Sequence, residues 1–142
     1  GVRVVFDPNL RPRLWSDTDT MTSTVMAGAA VSDVVLPSFE DEAGWFGDAD
    51  PEATVHRYRQ AGVTEVIVKN GSDEILVAQG EDRHRVSPQK VAQVVDSTAA
   101  GDSFNAGFLM AQAGGAGLVA AVQEGCALAA QVIGARGALV EV

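Results

Sequence analysis

Asp96 to Leu109 reads Asp-Ser-Thr-Ala-Ala-Gly-Asp-Ser-Phe-Asn-Ala-Gly-Phe-Leu. Ala99, Ala100 and Gly101 are small enough to let the main chain approach a ligand closely, and a helical pattern begins beside them. The first amides of a helix lack intrahelical acceptors and sit at the positive end of its dipole. Such a junction suits a phosphate. Asp102 places a carboxylate at the same spot, where it would repel that phosphate. One reason for its presence is proton abstraction from an attacking hydroxyl; the plainer one is helix capping, a common use of Asp. Phosphoryl transfer needs little more from a protein than positioning, charge stabilisation and such a base.

The elements that must carry this junction follow from hydrophobic spacing. Val2–Phe6 reads as a strand buried on both faces, and the two prolines of Asp7–Trp15 exclude regular helix after it. A helix is expected from about Asp19 to Ala30, capped by Asp17 or Thr18. Asp33–Pro37 reads as a second strand, Glu40–Phe46 as one or two helical turns, and Pro51–Ala61 as a helix closed by Gly62. Glu65–Gly71 reads as a third apolar strand, ending in a turn at Asn70 and Gly71. Glu74–Gly80 and His84–Pro88 pair as a hairpin around Gly80, Glu81 and Asp82. Val94–Asp96 leads into the small-residue loop. Helices are expected from Gly101 or Asp102 to about Ala113 and from Leu118 to Ile133, and Gly137–Val142 reads as a final strand. Strands alternating with helices imply an α/β fold with a mostly parallel sheet covered on both faces.

Composition narrows the function classes. The 142 residues are 46% hydrophobic and 20% charged, ordinary for a globular protein. No apolar run approaches the ~20 residues of a membrane span, and the first residues do not read as a signal peptide. A net charge of −9 argues against nucleic acid, whose affinity comes largely from Lys and Arg. An anionic ligand must then be met locally, by amides, Mg²⁺ and a few placed cations. The single Cys126 fits a reducing, cytoplasmic setting. His56 and His84 show no metal-ligand spacing and are expected at the surface.

Asp96–Leu109 resembles the C-terminal signature of the ribokinase/PfkB carbohydrate kinases, usually written with Gly-Ala-Gly-Asp; here Ala99 replaces the first Gly. That variant is similar to the form found in 2-keto-3-deoxygluconate kinases. The resemblance implies a ribokinase-like, Rossmann-like fold, with residues 1–142 forming the C-terminal nucleotide-binding half of the kinase domain, a partial domain. It implies Asp102 as catalytic base and the amides of Ala99, Ala100, Gly101 and Asp102 as an anion hole.

Further segments follow the same resemblance. Asp7-Pro8-Asn9-Leu10-Arg11 is similar to the family's Asp-x-Asn-x-Arg, with Arg11 reaching the substrate. A guanidinium there could hold a carboxylate or phosphate in two-pronged fashion. Trp15 is expected to pack rather than bind. Leu36–Ala43 stands where the family has Asn-x-x-Glu, but Ser38 replaces the Asn, and Asp41 or Glu42 replaces the Glu that organises Mg²⁺ through water. Three acids on one short helix also suit a merely solvated face. Ser38, Lys69, Gly71, Ser72 and Cys126 are the candidate ATP contacts, Cys126 where the family lines the adenine; a buried small apolar residue is its plainer role. The expected reaction is ATP-dependent phosphorylation of a sugar hydroxyl, with 2-keto-3-deoxygluconate the first choice. Fructokinase- or ribokinase-type substrates, a truncated non-catalytic ATP-binding module, and a structural remnant stabilised by self-association are the alternatives. The expected requirements are ATP, Mg²⁺ and a monovalent cation. The expected partners are a sugar or sugar acid and further copies of the chain, with neither nucleic acid nor membrane among them.

Overall fold

A computed structural model describes residues 1–91, 93–95, 97 and 99–135. The expected strand at Gly137–Val142 lies outside the described residues. The chain forms two compact units, Gly1–Arg85 and Val86–Val142.

The first unit is an open sheet of five strands in sequential order, β1 (Val5–Phe6), β2 (Val34–Val35), β3 (Glu65–Val68), β4 (Ile75–Gln79) and β5 (Asp82–Val86). β1, β2 and β3 run parallel, and β4 turns back antiparallel to β3. The sheet is therefore a parallel run closed by a hairpin. β1 is shorter than the apolar run Val2–Phe6 suggested. Its partner β2 has only two residues, and Val2 and Val4 stand 91% and 41% exposed before the pairing begins.

Helices α1 (Thr18–Ala29), α2 (Phe39–Phe46) and α3 (Pro51–Gln60) fill the two crossovers, with the 3₁₀ turn Pro12–Leu14 preceding α1. Two crossovers of one hand between strands ordered in one direction place their helices on one face of a sheet. The packing agrees: Ala29 of α1 and Val55 and Tyr58 of α3 form one core with Val35, Val66, Val68, Leu76 and Ala78, and Met26 and Phe39 pack against it. The alternate residues Val34, Ile67 and Val77 are fully buried as well, so the central strands are apolar on both faces, as parallel strands must be. A second cluster, Leu10, Met21 and Val25, receives Trp15, the packing role expected of it.

The helix boundaries have local causes. Asp17 caps α1 by accepting from Thr20 N at 2.7 Å, which holds its carboxyl below the usual range. Asp50 caps α3 by accepting from Ala53 N, with Pro51 in the first-turn position that proline favours.

In the second unit, α4 (Ala100–Ala113) and α5 (Leu118–Ile133) form an antiparallel pair joined by Gly114–Gly117. Two glycines permit their close approach. A Cβ on Gly107 would lie 2.8 Å from Glu124 O, and one on Gly125 would lie 2.8 Å from Phe104 O and 2.9 Å from its ring. Phe104 and Phe108 stack at 6.4 Å along the α4 side of the pair. Among the described residues no helix is long and apolar enough to cross a membrane.

Candidate active site

α4 begins at Ala100, one or two residues earlier than its sequence pattern suggested, and the difference changes the reading of Asp102. Ala99 occupies the N-cap position with φ 60° and ψ 16°, in the left-handed region. Counting from it, Ala100 and Gly101 are the first two helical residues and Asp102 the third. Asp102 is therefore an exposed acid of the first turn and not the cap. Ala100 N donates to Ser97 O at 3.2 Å, and Ala99 O accepts from Ser103 N at 2.8 Å. Of the four amides in the expected anion hole, that of Ala100 thus already has a main-chain acceptor. Those of Gly101 and Asp102 hold the positions where a helix provides none of its own. Val95 N donates to Ile133 O, tying the segment before the loop to the end of α5. Cys126, on α5, is 5% exposed, and burial pushes its thiol up. It is a small buried side chain in the α4–α5 pair.

In the first unit, the remaining candidates gather beyond the carboxyl ends of β1, β2 and β3, the edge at which open α/β sheets hold ligands. Asp7 follows β1 and reaches Lys69, which follows β3, at 3.5 Å. Asp7 also accepts from Asn9 N, and Asn9 is itself left-handed with φ 39°. Between them, Ser38 follows β2. Lys69 N donates to Pro37 O and Phe39 N to Lys69 O, at 2.9 and 2.8 Å, so the start of α2 is fastened to the end of β3. Asp41, in the first turn of α2, is half-buried. Burial raises its pKa, and the nearby positive charges of Arg11 and Lys69 partly oppose that rise. Arg11 is exposed and donates to Leu10 O. With Pro12, Arg13, Leu14 and Trp45 it lines a groove of about 600 Å³. Gly71 has φ 59° in an exposed turn with Ser72, closed by Asp73 N donating to Asn70 O. His56 and His84 are exposed, as expected.

Glu42, weighed beside Asp41 as an Mg²⁺ organiser, is placed differently. It is fully buried, and its carboxylate accepts from Arg57 Nη2 at 2.6 Å and from Tyr58 OH at 3.1 Å. The solvated acidic face is therefore wrong for Glu42; the structure draws it into the core because α3 supplies a cation and a phenol there. Arg57 also takes both oxygens of Asp48, at 3.2 and 2.5 Å, and lies 3.7 Å over the ring of Phe46. Thr54 donates to Asp48 as well. Burial alone would lower the basicity of Arg57, but the hydrogen bonds it donates to Asp48 and Glu42 prevail and hold it firmly charged. Burial pushes Glu42 upward, and Arg57 and Tyr58 restrain the rise. The sequence reading did not identify Arg57, Asp48 or Tyr58. The available signal was weak, a helix with an aromatic among basic residues.

The residues suit Mg²⁺ only as a partly hydrated ion. Among the described residues no three His, Cys, Asp or Glu converge as a ligand set. A hard cation that keeps several waters and takes one or two carboxylates with substrate phosphates needs no such cage, and half-buried Asp41 beside Lys69 meets that lesser demand.

Comparison with known proteins identifies the family. The model of the pfkB family carbohydrate kinases matches residues 1–141. The 2-dehydro-3-deoxygluconokinase of Dickeya dadantii is 37% identical over 143 residues, covering 99% of this chain and 46% of that protein. Aminoimidazole riboside kinase from Salmonella enterica, solved with aminoimidazole riboside and an ATP analogue, superposes with a TM-score of 0.87 at 27% identity, over 96% of this chain and 47% of that one. A putative ribokinase II from E. coli, solved with ATP and Mg²⁺, gives 0.83 at 26% identity, over 96% and 44%. The chain spans about half the length of the relatives it matches. The α/β architecture is ribokinase-like, and the chain belongs to the pfkB family of carbohydrate kinases.

Proposed function

We propose that this chain carries the nucleotide and phosphoryl-transfer side of an ATP-dependent kinase, acting on 2-keto-3-deoxygluconate at its 6-hydroxyl. The observation that carries the reading is the junction at α4, where a left-handed Ala99 opens a 14-residue helix and an exposed Asp102 stands in its first turn. Family membership and the sugar-acid kinase among its relatives support the substrate class. Arg11 is the group on this chain suited to the substrate's carboxylate, since a guanidinium matches a carboxylate in geometry and charge.

In this mechanism Asp102 accepts the proton of the sugar hydroxyl as its oxygen attacks the γ-phosphorus, and the bond to the ADP oxygen breaks. The amides at the start of α4 meet the charge on the transferring group, donating where the helix leaves them no acceptor. Lys69, Gly71, Ser72 and Ser38 are the proposed neighbours of the nucleotide, and Cys126 helps to shape the adenine side. Asp41 is the proposed carboxylate for Mg²⁺, acting through water. That ion, when bound, neutralises phosphate charge, as magnesium does across phosphoryl-transfer enzymes.

The test is a coupled ADP-release assay with 2-keto-3-deoxygluconate, fructose and ribose as acceptors, run with Asp102→Asn beside the unaltered protein. Turnover with the keto-deoxy acid, lost by a factor of about 10²–10⁴ or more in Asp102→Asn while ATP still binds, is the expected result. Undiminished turnover in Asp102→Asn overturns the assignment of the base. ATP binding without turnover on any acceptor makes the chain a nucleotide-binding module.

A further inference from the structure

The buried Arg57 cluster lies off the strand-end edge, but it grips the helix that serves that edge. The first turn of α2 is held at two points. On one side Phe39 N donates to Lys69 O, joining it to the end of β3. On the other, Glu42 is fixed by Arg57 and Tyr58 of α3. Asp41 and Glu40 lie between these anchors, and Ser38 is the residue just outside them. Arg57 is itself immobilised by Asp48 and by the face of Phe46, at the far end of the same helix. One guanidinium therefore ties both ends of α2 to α3.

We propose that Arg57 and Glu42 are positioning residues, which set the first turn of α2 so that Ser38 and Asp41 face the nucleotide phosphates and their Mg²⁺. The proposal rests on the function proposed above for Ser38 and Asp41. A core of ordinary apolar side chains would stabilise the helix as well or better, because desolvating a buried ion pair offsets much of its attraction. What the pair adds is direction. The guanidinium is held in two-pronged fashion by Asp48 and meets Glu42 through Nη2, which admits a narrow range of orientations where an apolar contact admits many.

Glu42→Gln is the informative variant. It keeps the shape and can still accept from Tyr58, and Arg57 keeps its charge partner in Asp48, so no buried cation is stranded. Arg57→Lys keeps the charge and loses the fork. Val55→Ala is the control, since it opens a cavity in the same core while leaving every hydrogen-bonding group of the cluster in place. Two quantities are read on each: amide hydrogen exchange in α2 without nucleotide, and half-saturation by Mg·ATP together with kcat. In Glu42→Gln and Arg57→Lys we expect exchange at the hydrogen-bonded amides of positions 39 and 42 to quicken by about tenfold or more relative to β3. Half-saturation should rise several-fold, and Val55→Ala should change neither in this pattern. Unchanged α2 exchange in both cluster variants overturns the positioning role whatever the nucleotide does. Faster exchange with half-saturation unmoved also overturns it, provided Asp41→Asn does raise half-saturation. If Asp41→Asn leaves half-saturation unmoved too, the reading of Asp41 as the Mg²⁺ carboxylate is what falls.

Discussion

Ala99 shows how much a single backbone angle can carry. At φ 60° an L-residue meets its own carbonyl, at a cost of about 1–2 kcal/mol that glycine escapes. Ala99→Gly should therefore raise stability, by about 0.5–1 kcal/mol once the greater freedom of glycine in the unfolded chain is deducted. Urea unfolding of the two proteins checks this, and a loss of stability would mean that the Ala99 methyl makes a compensating contact. The strain lies at the junction from which the chemistry was first read, where strained backbone tends to collect. That Asp102 stood at a helix start was legible from residue types alone. That it stands three positions past the cap was not, because the cap is an alanine with no polar side chain to announce it. Asp41 and Glu42 show the same limit. They are adjacent acids on one helix, about 100° apart around its axis. Only the arrival of Arg57, 15 residues on, decides which one is buried.

At the scale of elements, the sequence was most readable where termini are chemically marked. Asp17 before α1, Pro51 opening α3 and the glycines between α4 and α5 fall where their chemistry places them. Short strands were less legible: β1 and β2 have two residues each, and pairing rather than apolar character sets their extent. The α4–α5 contact is also invisible to periodicity, since its key residues are glycines and not a hydrophobic stripe. Gly125→Ala should force the pair apart against a backbone oxygen and the Phe104 ring. We expect a loss of about 1–3 kcal/mol, the usual penalty of overpacking, read as a lower denaturation midpoint. Because α4 carries Asp102 in its first turn, activity should fall further than the stability change alone would cause.

The whole molecule divides at a place the alternation of strands and helices did not mark. Gly1–Arg85 and Val86–Val142 are each compact by themselves. Ser87–Val91 follows β5 without regular structure, and Lys90 is exposed within it. Brief digestion with trypsin should cut first after Lys90, giving fragments 1–90 and 91–142 by mass spectrometry, since exposed irregular chain is where proteases begin. A first cut at Arg57 or Arg59, inside α3, would contradict the arrangement described.

β5, at the end of the strand order among the described residues, has a bearing on how the protein behaves in concentrated solution. Its residues Asp82, Arg83, His84 and Arg85 place charge or a polar ring at four consecutive positions, and only Val86 is buried. An outermost strand offers its unpaired amides and carbonyls to any neighbour of matching pleat, and interleaved charge is the usual deterrent. Two molecules meeting along β5 would have to strip water from Arg83, His84 and Arg85 on both sides before one main-chain bond formed. The hairpin that ends the parallel run thus also discourages stacking into fibres, through side chains that have no part in the proposed chemistry.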